Sequence, residues 1–333
     1  MEPTSTPNPV KPPRLIPSFL TGFDTVAKNS GLLLLPILLD LLLWLGPHLR
    51  INDLLQPIIT ATTSMPGLDT PDMANIVSTN KTLWQFFSQH FNLASALRTY
   101  PIGVPSLVSG EYPLATPLGN APIYEIKSVA TAFGIWIILA IVGLVAGSLY
   151  FNWISHIVYQ DFGTVNPAQA LRATIQVILL TLVCVIVLVL LSIPLMIVIP
   201  LMYLISPGFA EFTLLLILLV LAWLLVPFLF SPHGIFAYQQ NVFIAMWTSA
   251  RLVRYTLPMT GLFVLIALLL SEGLNLVWQI PSENSWMMLV GIAGHSFITT
   301  GIITASFIYY RDGIRWAQES LKRNLVASKT TEN

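Results

Sequence analysis

Charged side chains are scarce in this 333-residue chain: they make up 9% of it, against 55% hydrophobic residues, whereas an ordinary soluble domain is about a quarter charged. That balance excludes a soluble enzyme. Neither sign is in excess, with 15 basic and 15 acidic side chains, so there is no basic face for nucleic acid and no acidic solvating tail. Cysteine is rarer still. Cys184 stands alone inside an apolar run, which leaves no intrachain disulfide framework and no cysteine metal cage, and makes packing its role. The His-Glu-x-x-His spelling of zinc proteases, a phosphate-cradling Gly-rich loop with Lys, and a Gly-x-Ser-x-Gly elbow are also missing. No catalytic residue, metal or cofactor is predicted.

What the chain has in place of charge is long apolar runs. A hydrocarbon core of about 30 Å takes roughly 20 helical residues, and six runs approach that length: 31–47, 129–153, 178–204, 212–231, 258–279 and 286–309. The first is the shortest, Leu-rich between Gly31, Pro36 and Pro47. The third carries Pro194 and Pro200, which predict kinks. Residues 1–30 lack the apolar core and small-residue site of a cleavable signal, so the first span is expected to stay in the mature protein. The fold class expected is therefore all-α, an integral six-helix membrane bundle.

Basic residues set the expected orientation, because loops rich in Lys and Arg stay in the cytoplasm. With the N-terminus inside, Lys11, Arg14, Lys28, Arg172, Arg251, Arg254, Arg311, Arg315, Lys322, Arg323 and Lys329 fall inside, eleven of the fifteen. Arg50, Lys81, Arg98 and Lys127 fall in one outer loop. Trp44, Trp278 and Trp286 then sit at outer span ends and Trp153 at an inner one, as an aromatic belt requires. This frame predicts a multi-pass protein of the plasma membrane of a bacterium, with both termini cytoplasmic.

Within it, residues 1–17 read as a proline-rich disordered arm, 18–310 as the membrane domain with the 48–127 loop inserted, and 311–333 as a cytoplasmic tail. Three amphipathic segments precede outward spans. One holds Phe19, Leu20, Phe23, Val26 and Ala27; the second opens at Asn166-Pro167 and ends near Arg172; the third is 241–255, with Val242, Met246, Trp247 and Val253 opposite Arg251 and Arg254. The pattern predicts three units, each an inner interfacial helix followed by a hairpin of two spans. In the 48–127 loop, Asn80 is expected to cap a helix whose apolar stripe is Leu83, Trp84, Phe87, Phe91, Ala94 and Leu97, and the prolines and glycines from Tyr100 to Ile126 predict an ordered meander. The Asn80-Lys81-Thr82 sequon carries no weight.

The third unit, WTSARLVRYTLPMTGLFVLIALLL, and SFIYYRD at the end of the last span resemble a broad group of uncharacterised bacterial polytopic membrane proteins. That group includes the membrane region attached to some glycerophosphodiester phosphodiesterases. The resemblance covers the helical three-quarters of the chain. It implies a helical membrane domain and no activity, since no phosphodiesterase domain is present and no catalytic residue maps onto this sequence.

Only Asp40, Glu272 and His295 are ionisable and well within spans. At 1.5 Å per residue all three fall about 10 to 14 Å below the outer boundary. The five residues PSENS between spans five and six make Glu272 and His295 expected neighbours. Two readings stand. The three are polar glue locking the bundle, or they form a proton or cation relay or headgroup anchor, with Ser271, Asn275, Ser296, Thr299 and Thr300 extending the site. Gly143 and Gly147 in span two, and Gly294, Gly301 and Ala305 in span six, predict close helix packing. Spans three and four, nearly all Leu, Ile and Val, predict a lipid-facing layer. The leading function is a non-enzymatic membrane scaffold or accessory protein whose partners are membrane lipids or an envelope protein met through the 48–127 loop. A small transporter or lipid-translocating protein using Asp40, Glu272 and His295 is the alternative, and an intramembrane hydrolase the third.

Overall fold

The computed structural model describes residues 12–63, 81–88, 90–110, 113, 115–159 and 167–331. The first eleven residues of the expected arm, the Asn80 cap and the Asn166 cap lie outside them. Helices dominate: α1 (Leu15–Lys28), α2 (Leu34–Leu45), α3 (Asn52–Thr63), α4 (81–88), α5 (Val129–Val158), α6 (Pro167–Ile205), α7 (Pro207–Leu225), α8 (Ser231–Tyr238), α9 (Val242–Trp278) and α10 (Met288–Thr331). Four short strands accompany them. β1 (His48–Arg50) pairs in parallel with β4 (Ile123–Glu125), and β2 (Ala115–Thr116) pairs antiparallel with β3 (Gly119–Asn120). Among the described residues, five helices are long and apolar enough to cross a membrane, and a sixth is reached only when Leu15–Lys28 and Ser30–Leu45 count as one span. The chain is therefore an all-α, multi-pass type of membrane protein.

The first expected span is short for a physical reason. Its α-helix has 12 residues, preceded by a four-residue 3₁₀ turn, which together reach about 26 Å. Pro36 is tolerated because the first-turn N–H groups need no partner, and Gly46-Pro47 ends the helix before β1. α6 runs 39 residues unbroken from Pro167 through Pro194 and Pro200, so 167–172 is its first turn and not a separate helix. Between 241–255 and the fifth span the expected break is present: Thr256 leaves helical geometry two residues before Pro258. α10 continues through 311–331, where a tail was expected.

The chain divides into two compact units. One comprises Met1–Asn29, Phe151–Leu270 and Thr300–Asn333. Its core is aromatic: Phe19 stacks on Phe263 at 4.7 Å, Phe263 on Tyr309 at 4.8 Å, and Phe230 lies 5.7 Å from Tyr309. α1 buries Phe19, Gly22 and Val26 there. A Cβ on Gly22 would lie 2.8 Å from Ala305, and one on Gly301 would strike the Phe23 ring, so the small residues of α10 receive α1. Thr256, Thr260 and Tyr309 form a buried hydroxyl chain beside the kink, at 3.0 and 3.2 Å. α8, not anticipated, is buried over most of its length and ends where Gln239 takes a left-handed conformation. α6 and α7 turn at Ser206, and the most apolar stretch of each has no residue buried inside the protein.

The other unit comprises Ser30–Tyr150 and Ser271–Thr299. Leu43 and Trp44 of α2, Leu107 and Val108, and Met288 and Ile292 of α10 form its core. The Trp44 indole donates to the Glu283 carbonyl at 2.9 Å and meets Trp286 edge-on. Gly291 and Gly294 leave room for Trp278, whose ring carbons a Cβ on Gly294 would approach to 2.7 Å.

Candidate functional site

All three ionisable residues singled out from the sequence lie in this second unit. Asp40 is fully buried in α2. Its carboxylate accepts from the Ser106 hydroxyl at 2.5 Å and from the Leu107 and Val108 N–H groups at 3.1 Å each. These donors open a short 3₁₀ turn at Val108–Gly110, so Asp40 acts as a cap supplied from 66 residues away. The Ser106 hydroxyl also accepts from the Ser109 N–H at 3.1 Å. Arg98 completes the assembly, donating from Nη1 to the Ser106 carbonyl and the Ser109 hydroxyl at 2.9 Å each, and lying 5.4 Å from the Tyr100 ring centre.

The segment so fastened is irregular but buried: Ile102, Val104, Ser106, Leu107 and Val108 are each at most 3% exposed. It lies along α5. A Cβ on Gly143 would sit 2.2 Å from the Leu97 carbonyl oxygen, and one on Gly147 would sit 2.7 Å from Gly103 Cα. The GxxxG stripe thus receives irregular backbone and not a second helix. These two glycines stand about 21 and 27 Å along α5 from its first residue.

His295 of α10 and Glu272 of α9 were expected to be direct neighbours; the hydrogen bonds between them run through Asn275. The imidazole Nδ1 is 2.7 Å from Asn275 Oδ1, and Asn275 Nδ2 donates to Glu272 Oε2 at 3.5 Å. An amide turned that way receives the proton of Nδ1 and leaves Nε2 as an acceptor. Nε2 is buried and has no hydrogen-bond partner among the described residues, while Glu272 is exposed. Asp40 makes no hydrogen bond to either, but the Arg98 charge acts on both Asp40 and His295.

Of the extending residues, Asn275 is a working part of this chain of contacts. The Thr299 hydroxyl donates back to the His295 carbonyl at 2.7 Å, the self-satisfying habit of Thr in helices. Ser106, Ser109 and Arg98 were missed. Their signal is faint: Ser-x-x-Ser in a Pro/Gly-rich stretch is turn chemistry without an indication of which carboxylate it meets. Among the described residues no group of three or more His, Cys, Asp and Glu side chains is placed to hold a metal ion. No protein family, curated protein or solved structure matches this chain, so the chemistry of these residues rests on their geometry.

Proposed function

We propose that this chain is a non-enzymatic scaffold or accessory protein of a bacterial plasma membrane, with cytoplasmic termini and an interfacial helix before its first and fifth spans. It presents its 48–127 region to membrane lipids or to an envelope partner. The observation that carries this reading is the capture of Asp40. A carboxylate inside a membrane helix is the usual carrier of a proton or cation, but here three donors hold it to the 106–108 turn. It fastens a folded segment to a helix. If α5 crosses the bilayer, that segment lies at membrane depth, where irregular backbone is tolerated only when protein covers it, and it is buried. The presented surface is α4, where Leu83, Trp84, Phe86 and Phe87 are exposed.

One observation favours the transport reading: the bare Nε2 of His295, linked through Asn275 to the exposed Glu272. Liposomes carrying the protein under an imposed pH gradient separate the two. The scaffold reading expects no protein-dependent proton movement, together with a discrete adduct from a photocrosslinker placed at Trp84 in whole envelopes. Proton movement abolished by Glu272→Gln in a folded protein would overturn it in favour of transport.

A further inference from the structure

At one end of the first unit, Thr21, Thr25, Lys28, Asn29, Arg311 and Arg315 line a cavity of about 400 Å³. Three cations face this space. The sequence places Lys28, Arg311 and Arg315 on one side of the membrane, and the fold brings them from α1 and α10 to the same cavity. Arg311 is held in place: its Nε donates to Asp312 at 3.0 Å and its Nη1 to the Val158 carbonyl at 3.1 Å. That occupies two of the five N–H donors of a guanidinium, leaving the rest of the fork for an anion. Arg315 follows four residues later on the same face of α10. Lys28, Arg311 and Arg315 bring three positive charges to the cavity wall, and Asp312 bonds to the Arg311 guanidinium. On α1 the Thr25 hydroxyl donates to the Thr21 carbonyl and the Asn29 amide to the Thr25 carbonyl, which sets both side chains along the cavity wall.

The level of the cavity matters as much as its charge. α5 ends at Val158, and α10 turns from the apolar run ending at Tyr310 to Arg311, Asp312 and Arg315, so the cavity lies where the apolar parts of both helices stop. Basic pockets among helix ends at that level take lipid phosphates.

We infer that this cavity binds a phosphate anion, with the phosphodiester of an anionic lipid as its occupant at that level. A soluble phosphate would satisfy the same cations, and the experiment separates the two. Protein in nanodiscs of equal phosphatidylglycerol and phosphatidylcholine is released into the gas phase and its retained lipids are weighed by mass spectrometry; in parallel, inorganic phosphate is titrated in detergent against thermal unfolding. The expected result is preferential retention of phosphatidylglycerol, weakened about fivefold per charge removed, and so about twenty-five-fold in Lys28→Gln/Arg315→Gln. Lys28→Arg/Arg315→Lys, which keeps the charge, should retain the preference. Arg172→Gln/Arg254→Gln, which removes the same charge away from the cavity, should leave it unchanged. Stabilisation by inorganic phosphate, lost in Lys28→Gln/Arg315→Gln and without lipid preference, assigns the site to a soluble phosphate. Equal retention of both lipids with no effect of phosphate overturns the inference, as does an equal loss of preference in the two charge-removed pairs.

Discussion

Asp40 accepts the Ser106 hydroxyl at 2.5 Å across 66 residues of chain, and the next two backbone N–H groups converge on the same carboxylate. The acid inside α2 and the irregular segment are therefore one structure. Asp40→Ala leaves three buried donors without an acceptor and should cost about 3 to 5 kcal/mol. Asp40→Asn keeps one acceptor and loses the charge, and should cost less, about 1.5 to 3 kcal/mol. Thermal unfolding in detergent reads both; equal, near-zero losses would show that the segment is held by its apolar contacts alone.

Gly143 and Gly147 test how closely that segment lies on α5. Gly143→Ala brings a methyl against the Leu97 carbonyl and Gly147→Ala one against Gly103, and overpacking of this kind costs about 1 to 3 kcal/mol. Gly134, whose Cβ would meet nothing within 4 Å, is the control, and Gly134→Ala should be neutral or slightly stabilising. Equal melting of all three variants would place the segment off the helix.

Much of this architecture was readable in the chain. The break before the fifth span was visible because the amphipathic segment 241–255, with Arg251 and Arg254, gives way to an apolar run, and the small residues at Gly294, Gly301 and Ala305 marked close packing. What stayed hidden was the partner. GxxxG states that something approaches α5, not that it is the backbone of 97–103. A segment punctuated by Pro101, Gly103 and Pro105 has no period from which a buried face can be read. The extent of α10 was hidden for the opposite reason: after Tyr310 the composition turns polar, but nothing before Thr331 breaks a helix.

The Glu272, Asn275 and His295 chain predicts where coupling resides. In double-mutant cycles His295→Ala and Asn275→Ala should show a coupling of about 0.5 to 3 kcal/mol. Glu272→Gln with His295→Ala should be nearly additive, because the amide stands between them. Strong Glu272–His295 coupling that survives Asn275→Ala would require a direct contact.

His48, in β1, is buried, and burial lowers its pKa below 6.5, outweighing the Leu43 backbone hydrogen bond that raises it, while the Arg50 and Glu283 charges act in opposite directions. Its folded state keeps the neutral ring while the unfolded chain takes up a proton below about pH 6.5. Stability should thus be level above pH 6.5 and fall as the pH drops from there towards the lower folded value. His48→Gln should flatten that part of the curve. Parallel melting curves from pH 7 to 5 would remove the histidine as the cause.

Orientation follows from the eleven-to-four division of basic residues. In a Cys184→Ala background, a cysteine at exposed Leu118 should react with an impermeant reagent in intact cells, and one at Gln318 only after lysis. Labelling of Gln318→Cys in intact cells would invert the topology.

The central claim, that Asp40 holds the 106–108 turn on α2, is tested most directly by hydrogen exchange at the Leu107 and Val108 amides in nanodiscs. Both amides should exchange slowly in the native protein and faster by tenfold or more in Asp40→Ala, while exchange within α5 changes little. Fast exchange at these amides in the native protein, or slow exchange untouched by the substitution, would contradict it.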